Sequence, residues 1–188
     1  MRRILAGITM RDMHRLVLAV ALFAALAPQQ VPRTGDPVKR GYTEADFPRV
    51  QKLAEGVYSY EQLRSAGSEK FTTVSLFVVT SEGVLVADGQ GSMEETLRMV
   101  REIAKVTRQP ITHVVIGSDH GDHTAGNAAF PSTAKAFAHP TSKAILEGPS
   151  GVAPQLITAV PDKTTLKLGG IEIQILFLGR AHTGGDLS

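Results

Sequence analysis

The sequence contains no cysteine and no tryptophan, and only 5% of its residues are aromatic. The lack of cysteine excludes disulfide bonds, cysteine–zinc sites and a cysteine-linked lipid anchor within these 188 residues. Internal repeats, coiled-coil heptads and low-complexity tracts are also missing. The remaining composition is that of an ordinary folded domain, preceded by an unusual N-terminus.

An excess of positive charge is missing from most of the chain. The formal net charge is +2, but residues 1–27 hold four arginines and one aspartate. Residues 28–188 therefore carry 16 basic and 17 acidic side chains, a net charge of −1. Because the basic balance belongs to the N-terminus, the composition does not predict nucleic-acid binding.

The N-terminus consists of an arginine-containing start followed by the apolar run Leu16–Ala27. This run is shorter than the about 20 apolar residues that span a bilayer. The pattern predicts a secretory signal peptide over residues 1–27, with a cleavage-like site at its end. Pro28 is unfavourable directly after that site, so cleavage nearby or retention as an anchor stays open. We expect an exported protein, periplasmic or secreted, without stable membrane insertion after cleavage.

The rest of the chain alternates between strand and helix patterns. Residues 28–52 are rich in proline, glycine and charge, and we predict an extended segment without a core of its own. The following elements are predicted from periodicity and turn residues: a strand over 53–60, a hairpin of 71–80 with 84–87, a helix over 92–107, a strand over 111–116, a short helix over 126–130, a strand over 134–139, a short helix from Pro140 toward Glu147, and a second hairpin of 164–168 with 171–178.

The predicted helix over 92–107 has clear end and face patterns. Ser92 and Glu95 have the spacing of a capping box at its start. Its apolar positions predict a stripe that covers the sheet, formed by Leu97, Val100, Ala104 and Thr107, with Ile103 beside it.

Two histidines and two aspartates lie within five residues, Asp119 to His123, directly after the predicted strand 111–116. Imidazole nitrogens from His120 and His123 and a carboxylate from Asp122 are donors that Zn²⁺ accepts. The end of a strand is also where α/β sheets commonly bind ligands. The alternative is a polar turn in which an aspartate caps the following helix.

An earlier glycine-bearing loop, 88–91, lacks the Lys-Ser/Thr of a phosphate-binding loop, so we do not predict phosphate binding there.

Two motifs carry a resemblance to a known family. The segment 118–123 resembles the His-x-His-x-Asp-His signature of the metallo-β-lactamase superfamily, with Ser118 at the first histidine position. Gly179–Asp186 resembles the second metal motif of that family and contains His182. The resemblance runs from about Gly56 to Ser188 and covers the N-terminal half of the family's domain. It implies an α+β fold, the family's αββα sandwich, truncated to its first half, over residues 53–188.

The resemblance also implies a ligand set. One metal position would take His120 and His182, with water or Ser118 in place of the missing histidine. The second would take Asp122, His123 and a later histidine, so the complete protein would hold one or two Zn²⁺ ions. Asp122 would in addition orient the nucleophile as the catalytic residue. Asp119 is expected to point away from the ligand side.

The function implied by the resemblance is that of a zinc-dependent hydrolase acting on a small molecule, namely a lactam, ester, thioester or phosphoester. The alternative is a non-catalytic relative that binds metal weakly and serves as an exported binding module. Because the family's remaining ligands would follow Ser188, we expect this chain by itself to be inactive and to expose an apolar sheet face. No oligomeric state is predicted.

Three other side chains have possible roles near this site. Asp88 follows a strand, and we predict mainly a turn-stabilising role for it. A second possibility is that it supports residues 117–127, which contain His120, Asp122 and His123 and are called the ligand turn below. His113 lies inside a strand and His139 at a strand end beside Pro140. For both histidines we predict an ordinary hydrogen-bonded or exposed role.

Overall fold

The computed structural model describes residues 34–148 and 156–188, and Gly35–Ser188 form one compact unit. The predicted signal peptide, residues 1–27, lies outside the described residues. No helix in the described part of the chain is long and apolar enough to cross a membrane. The strands are β1 (Arg49–Ala54), β2 (Val57–Ala66), β3 (Glu69–Thr80), β4 (Gly83–Ala87), β5 (Ile111–Ile116), β6 (Lys135–Ala138), β7 (Ile157–Ala159), β8 (Lys163–Leu168) and β9 (Ile171–Leu176); the helices are α1 (Met93–Val106), α2 (Gly121–Thr124) and α3 (Pro140–Leu146), with 3-10 turns at Glu44–Asp46 and Asn127–Ala129.

The strands form a large sheet and a small one. The large sheet has the order β1-β2-β3-β4-β5-β6-β7, antiparallel from β1 to β4 and parallel from β4 to β7. The small sheet is the antiparallel hairpin β8–β9. Both predicted hairpins are confirmed, whereas the three-residue strand β7 was not predicted because it is too short to show a period.

The first strand was predicted incorrectly. A single strand was expected over 53–60, but the chain forms the hairpin β1–β2, which begins earlier, at Arg49. The turn lies at Gly56, which has φ of 71°. A Cβ there would lie 2.9 Å from the Val79 carbonyl oxygen, so this tight turn requires glycine. The apolar residues on either side of Gly56 resemble one continuous strand in the sequence.

Helix α1 has the predicted start but a different buried face. The Glu95 amide donates to the Ser92 hydroxyl at 3.2 Å, which confirms the N-cap. The side chains buried against the sheet are those of Thr96, Met99 and Ile103, whereas Leu97 is 39% exposed. The predicted stripe is therefore wrong by about one residue. The sequence does not indicate the buried face because Thr96 is polar. Its hydroxyl can be buried because it accepts a hydrogen bond from the Gln90 amide.

Buried hydrophobic clusters lie on both faces of the large sheet. One face packs against α1, with Phe77, Val86 and Met99 among its buried residues. The other face packs against β8–β9, with Leu85 and Ile175 among its buried residues. The layers are therefore helix, sheet and sheet. The α+β class is confirmed, and the layer order agrees with three of the four layers of the expected sandwich.

Part of the sheet face beside β8–β9 is open within the described residues. Val74 and Leu76 on β3 are 42% and 43% exposed, while Val78 on the same face packs into the core with β8–β9. Successive residues of a strand alternate between faces, so these three side chains share one side of the sheet. An exposed apolar face was expected from the sequence; Val74 and Leu76 are exposed on it, whereas the part beside Val78 packs against β8–β9.

Candidate metal centre

The predicted ligand turn follows β5 at the edge of the large sheet where its parallel strands end. β4 and β5 are parallel neighbours in which Ala87 pairs with Val115, so the residues after the two strands lie side by side. The chain after β9 returns to this edge, where the Leu187 amide donates to the Gly117 carbonyl at 3.0 Å. Segments far apart in the sequence thus meet where α/β sheets commonly bind ligands.

Asp88 connects the end of β4 to the ligand turn. Its backbone has φ of 66°, a left-handed conformation that aspartate adopts more readily than most side chains. Its Oδ1 accepts from the amides of Gly117 and Ser118, at 2.7 and 3.3 Å. Its Oδ2 lies 3.1 Å from Nδ1 of His123. The expected turn-stabilising role is therefore accompanied by direct support of a predicted ligand.

The surroundings of His123 act on its pKa in opposite directions. The hydrogen bond to Asp88 raises the pKa, burial lowers it, and the charge of Asp122 raises it further, so the net shift is upward. The Nε2 atom of His123 lies 3.5 Å from Oδ2 of Asp122. Because zinc binds neutral imidazole, an ion at this nitrogen would have to displace a proton that both carboxylates favour.

His120 and His182 face each other across the edge of the sheet. Nδ1 of His120 lies 3.0 Å from Nε2 of His182, and the ring centroids are 4.5 Å apart at an interplanar angle of 72°. Two nitrogens bound to one tetrahedral zinc ion at about 2.0–2.1 Å lie about 3.3 Å from each other. The observed separation therefore fits a pair of donors to one ion after a small adjustment of the rings.

The donor atoms available to a metal ion come from Ser118 and from two pairs of side chains. The Ser118 hydroxyl oxygen lies 3.5 Å from the His120 amide, at the limit of a hydrogen bond. In the part of the chain that the structure describes, no three His, Cys, Asp or Glu side chains are grouped to hold one ion. The predicted ligands are present as two pairs, His120 with His182 and Asp122 with His123. Nitrogen and oxygen donors of this kind fit zinc, with a shell that is incomplete in the described residues.

The other acidic residue of the turn, Asp119, bonds to a different part of the fold. Its Oδ2 accepts from the hydroxyl of Ser142, a fully buried residue of α3, at 2.8 Å. Asp119 therefore points away from the pairs, as expected.

The loop that carries His182 is held by Asp186, whose Oδ2 accepts from the Thr183 amide at 2.6 Å and whose Oδ1 accepts from the Thr183 hydroxyl. Burial would raise the pKa of Asp186, but these bonds hold the pKa below its ordinary value.

Two residues near the site were missed from the sequence. The hydroxyl of Thr73, a residue of β3 that is 2% exposed, donates to Oδ2 of Asp122 at 3.2 Å. Nε of Arg64, on β2, donates to that same hydroxyl at 3.3 Å. The available indication was the pair of polar residues Thr73 and Ser75, which occupy inward positions of β3 in line with buried Phe77.

The two histidines predicted to be ordinary have other partners. His113 stacks on Phe137 with ring centroids 6.1 Å apart. His139 caps α3 by accepting from the Thr141 amide at 3.2 Å, and it stacks on Phe177 at 4.0 Å. Both therefore contribute to packing and capping.

Comparisons with known proteins identify the fold. Metallo-β-lactamase type 2 of Elizabethkingia meningoseptica is 24% identical over 136 residues, 72% of this chain and 54% of that protein. A solved metallo-β-lactamase from Pontibacter korlensis matches with a TM-score of 0.67 at 21% identity, covering 74% of this chain and 64% of that one. One from Hirschia baltica gives a TM-score of 0.61 at 17% identity, with the same coverage. The chain has the metallo-β-lactamase fold.

The resemblance read from the two motifs is therefore confirmed, and curated and structural neighbours both indicate the metallo-β-lactamase superfamily. No family model matches the chain. The chain spans about half the length of the curated relative that it matches. In this metallo-β-lactamase fold, the residues after β5 and those after β9 form the candidate centre.

Proposed function

We propose that the protein is an exported zinc-dependent hydrolase that cleaves a small molecule, which is a lactam, ester, thioester or phosphoester. The single observation that supports this most is the approach of His120 to His182, with 3.0 Å between their ring nitrogens, at the end of β5. Two exposed imidazoles from distant segments that approach one point at a sheet edge form a candidate pair of metal donors.

The residues proposed to hold the metal are the two donor pairs. His120 and His182 would share one ion, and Asp122 with His123 would contribute to a second position. A bound zinc ion supplies Lewis acidity and lowers the pKa of a bound water from 15.7 to about 7. Ser118 would hydrogen-bond that water instead of completing a three-histidine set.

The chain's own residues would then fix the geometry of attack. Asp122 would receive and hold a proton of the attacking water at Oδ1, because Oδ2 already accepts from Thr73. Among the described residues no hydrogen bond reaches Oδ1. Asp88 would keep the His123 ring in place through Nδ1, so that Nε2 is the atom left to face a ligand.

The substrate stays a choice among the four classes, because one fold hosts many reactions. Since the chain spans about half of the curated relative, we propose turnover for a protein of the relative's full length.

Export is proposed from the charge and hydropathy pattern of residues 1–27. Sequencing the N-terminus of the protein after secretion tests it, and a mature chain that begins at Met1 would contradict cleavage.

A second candidate function is a non-catalytic exported module that binds metal weakly. Ser118 favours it, because a neutral hydroxyl is a much poorer zinc donor than imidazole. This candidate predicts weak zinc binding and no turnover of lactams or esters, in contrast to the hydrolase.

Zinc binding tests the metal site, and turnover separates the two functions. The chain is purified without chelator, its zinc is measured by elemental analysis, and its affinity is measured by competition with a coloured chelator. We expect bound zinc in the wild type, tighter binding in Ser118→His, and wild-type binding in Ser118→Ala. Absence of zinc from both the wild type and Ser118→His would contradict the proposed metal site. In a protein of the relative's full length, absent turnover, or zinc content and turnover that Asp122→Ala leaves unchanged, would favour the second candidate.

A further inference from the structure

Arg64 forms a charged connection between the β2–β3 hairpin and helix α1. Its Nη1 donates to Oε1 of Glu95 at 3.0 Å, and its Nη2 lies 2.9 Å from Oε2 of the same carboxylate. The two side chains are only 17% and 24% exposed. Among the described residues Nη1 therefore makes the hydrogen bond to this carboxylate, Nη2 adds an ion-pair contact without a hydrogen bond, and Oε2 accepts from the Ser92 hydroxyl at 3.1 Å.

The position of the Arg64 guanidinium is also limited by the backbone of Gly91. A Cβ added at Gly91 would lie 2.5 Å from Nη2 and 2.8 Å from Cζ of Arg64. The guanidinium therefore lies directly over the Gly91 backbone, in space that any side chain at 91 would occupy. Glu95 and Gly91 together leave Nε of Arg64 facing the hydroxyl of Thr73.

The hydroxyl of Thr73 has one proton to donate, and Arg64 determines where that proton goes. Arginine has donors and no acceptor, so the contact from Nε at 3.3 Å must use a lone pair of the hydroxyl. The hydroxyl proton is then free for Oδ2 of Asp122, 3.2 Å away. The donor–acceptor direction is therefore the same from Arg64 through Thr73 to Asp122.

We propose that Arg64 is a positioning residue that holds the Asp122 carboxylate in its ligating orientation through the hydroxyl of Thr73. The contribution of Asp122 to metal binding rests on the proposed function, whereas the connection itself rests on the contacts above. Arg64 touches neither of the donor pairs directly. Its role is to set the hydroxyl of Thr73 and, with it, the rotamer of Asp122.

A second arginine–glutamate pair in the same sheet provides a matched control. Nε of Arg49 donates to Oε2 of Glu61 at 3.0 Å, and its Nη2 donates to Oε1 at 3.3 Å. These side chains are 19% and 16% exposed, close to the values for Arg64 and Glu95. The pair joins β1 to β2 and has no contact with the ligand turn among the described residues. Arg49→Lys therefore removes a similarly buried arginine–glutamate contact without touching Asp122.

The experiment measures the Zn²⁺ affinity of the 188-residue chain by chelator competition, together with its melting temperature. The five variants are Arg64→Lys, Thr73→Val, Thr73→Ser, Arg49→Lys and the double variant Arg64→Lys with Thr73→Val. Lysine at 64 keeps the charge but loses the planar guanidinium and the Nε donor that faces Thr73. Mutations of partners behind a ligand commonly weaken metal binding about 10–100-fold, and we expect about 10-fold for Arg64→Lys and for Thr73→Val. Thr73→Ser, which keeps the hydroxyl, and Arg49→Lys should both bind zinc as the wild type does.

The double variant Arg64→Lys with Thr73→Val decides whether the effect passes through the hydroxyl. Coupled residues give non-additive effects, so Arg64→Lys should cost no further affinity once the hydroxyl is gone. Independent, multiplying losses would overturn the proposal. An Arg64→Lys variant that melts earlier but binds zinc normally would also overturn it, and would leave Arg64 as a purely structural residue.

The outcome stays decisive if the wild type binds no zinc, in which case the proposed function fails by itself. The rotamer of Asp122 is then read in the metal-free chain from NMR couplings across its Cα–Cβ bond. A change of rotamer in Arg64→Lys and Thr73→Val, with none in Thr73→Ser or Arg49→Lys, supports the positioning role. An unchanged rotamer in all four overturns it.

Discussion

Nε2 of His182 lies 3.0 Å from Nδ1 of His120, although 62 residues separate them in the chain. His120 follows β5 of the large sheet, and His182 follows β9 of the small sheet. Their contact is therefore a product of how the two sheets pack. Any change that shifts β8–β9 against the large sheet also separates the two rings.

Replacing His182 tests whether the two imidazoles act as one donor pair. We expect His182→Gln to weaken Zn²⁺ binding by at least about 10-fold, because it removes one of two neighbouring nitrogen donors. His113→Gln is the matched control, since His113 stacks on Phe137 inside the sheet. Chelator competition on both variants measures the difference. Equal affinities of the two variants would show that His182 is not a ligand.

The sequence predicted the elements that have a clear period or motif. The capped start of α1 and the two hairpins follow from the local pattern at Ser92 and from alternating side chains, which need no knowledge of distant contacts. The proximity of the two metal motifs followed from a family resemblance. Periodicity alone could not have placed His182 beside His120.

The sequence failed where a contact between distant residues decided the outcome. Nothing local shows that Thr73 on β3 reaches Asp122, 49 residues later, because their contact depends on the register of the whole sheet. The turn at Gly56 was missed for a similar reason, since the Val79 carbonyl that excludes a side chain there belongs to another strand. The buried face of α1 was misplaced because Thr96 has a partner, Gln90, that only the fold supplies.

The buried face of α1 can be tested by two truncations. We expect Met99→Ala to lower the free energy of unfolding by about 2–5 kcal/mol, because Met99 is fully buried and its loss leaves a cavity. Leu97→Ala removes a similar side chain that is 39% exposed, and it should cost less than about 1 kcal/mol. Urea unfolding measures both. The opposite order would mean that the stripe containing Leu97 faces the sheet.

Asp88 is expected to stabilise the fold as well as the ligand turn. Its carboxylate accepts from two amides and contacts His123, so Asp88→Ala leaves the Gly117 amide without its partner at 2.7 Å. Loss of the partner of a part-buried amide costs up to about 1–3 kcal/mol, and alanine is also strained at φ of 66°. We expect a loss of about 2–4 kcal/mol in urea unfolding. Asp162→Ala, at an exposed position, is the control and should change stability by less than about 0.5 kcal/mol.

Two glycines of the ligand turn have opposite surroundings, which makes them a matched pair for the last prediction. A Cβ at Gly126 would lie 2.2 Å from the Ser92 carbonyl oxygen and 2.0 Å from Oγ1 of Thr96, whereas a Cβ at Gly121 meets nothing within 4 Å. Backbone at the start of α1 cannot yield as a flexible side chain would. Gly126→Ala must therefore move the turn away from the helix.

We expect Gly126→Ala to cost about 1–3 kcal/mol or more of unfolding free energy, the usual effect of overpacking. Because the same turn carries His120 and His123, zinc affinity should fall together with stability. Gly121→Ala should be neutral or slightly stabilising, since alanine favours a helical position more than glycine does. Urea unfolding and chelator competition on both variants measure this. Normal stability of Gly126→Ala would mean that the turn and α1 are not in the close contact described above, and the placement of both histidines would then have to be redrawn.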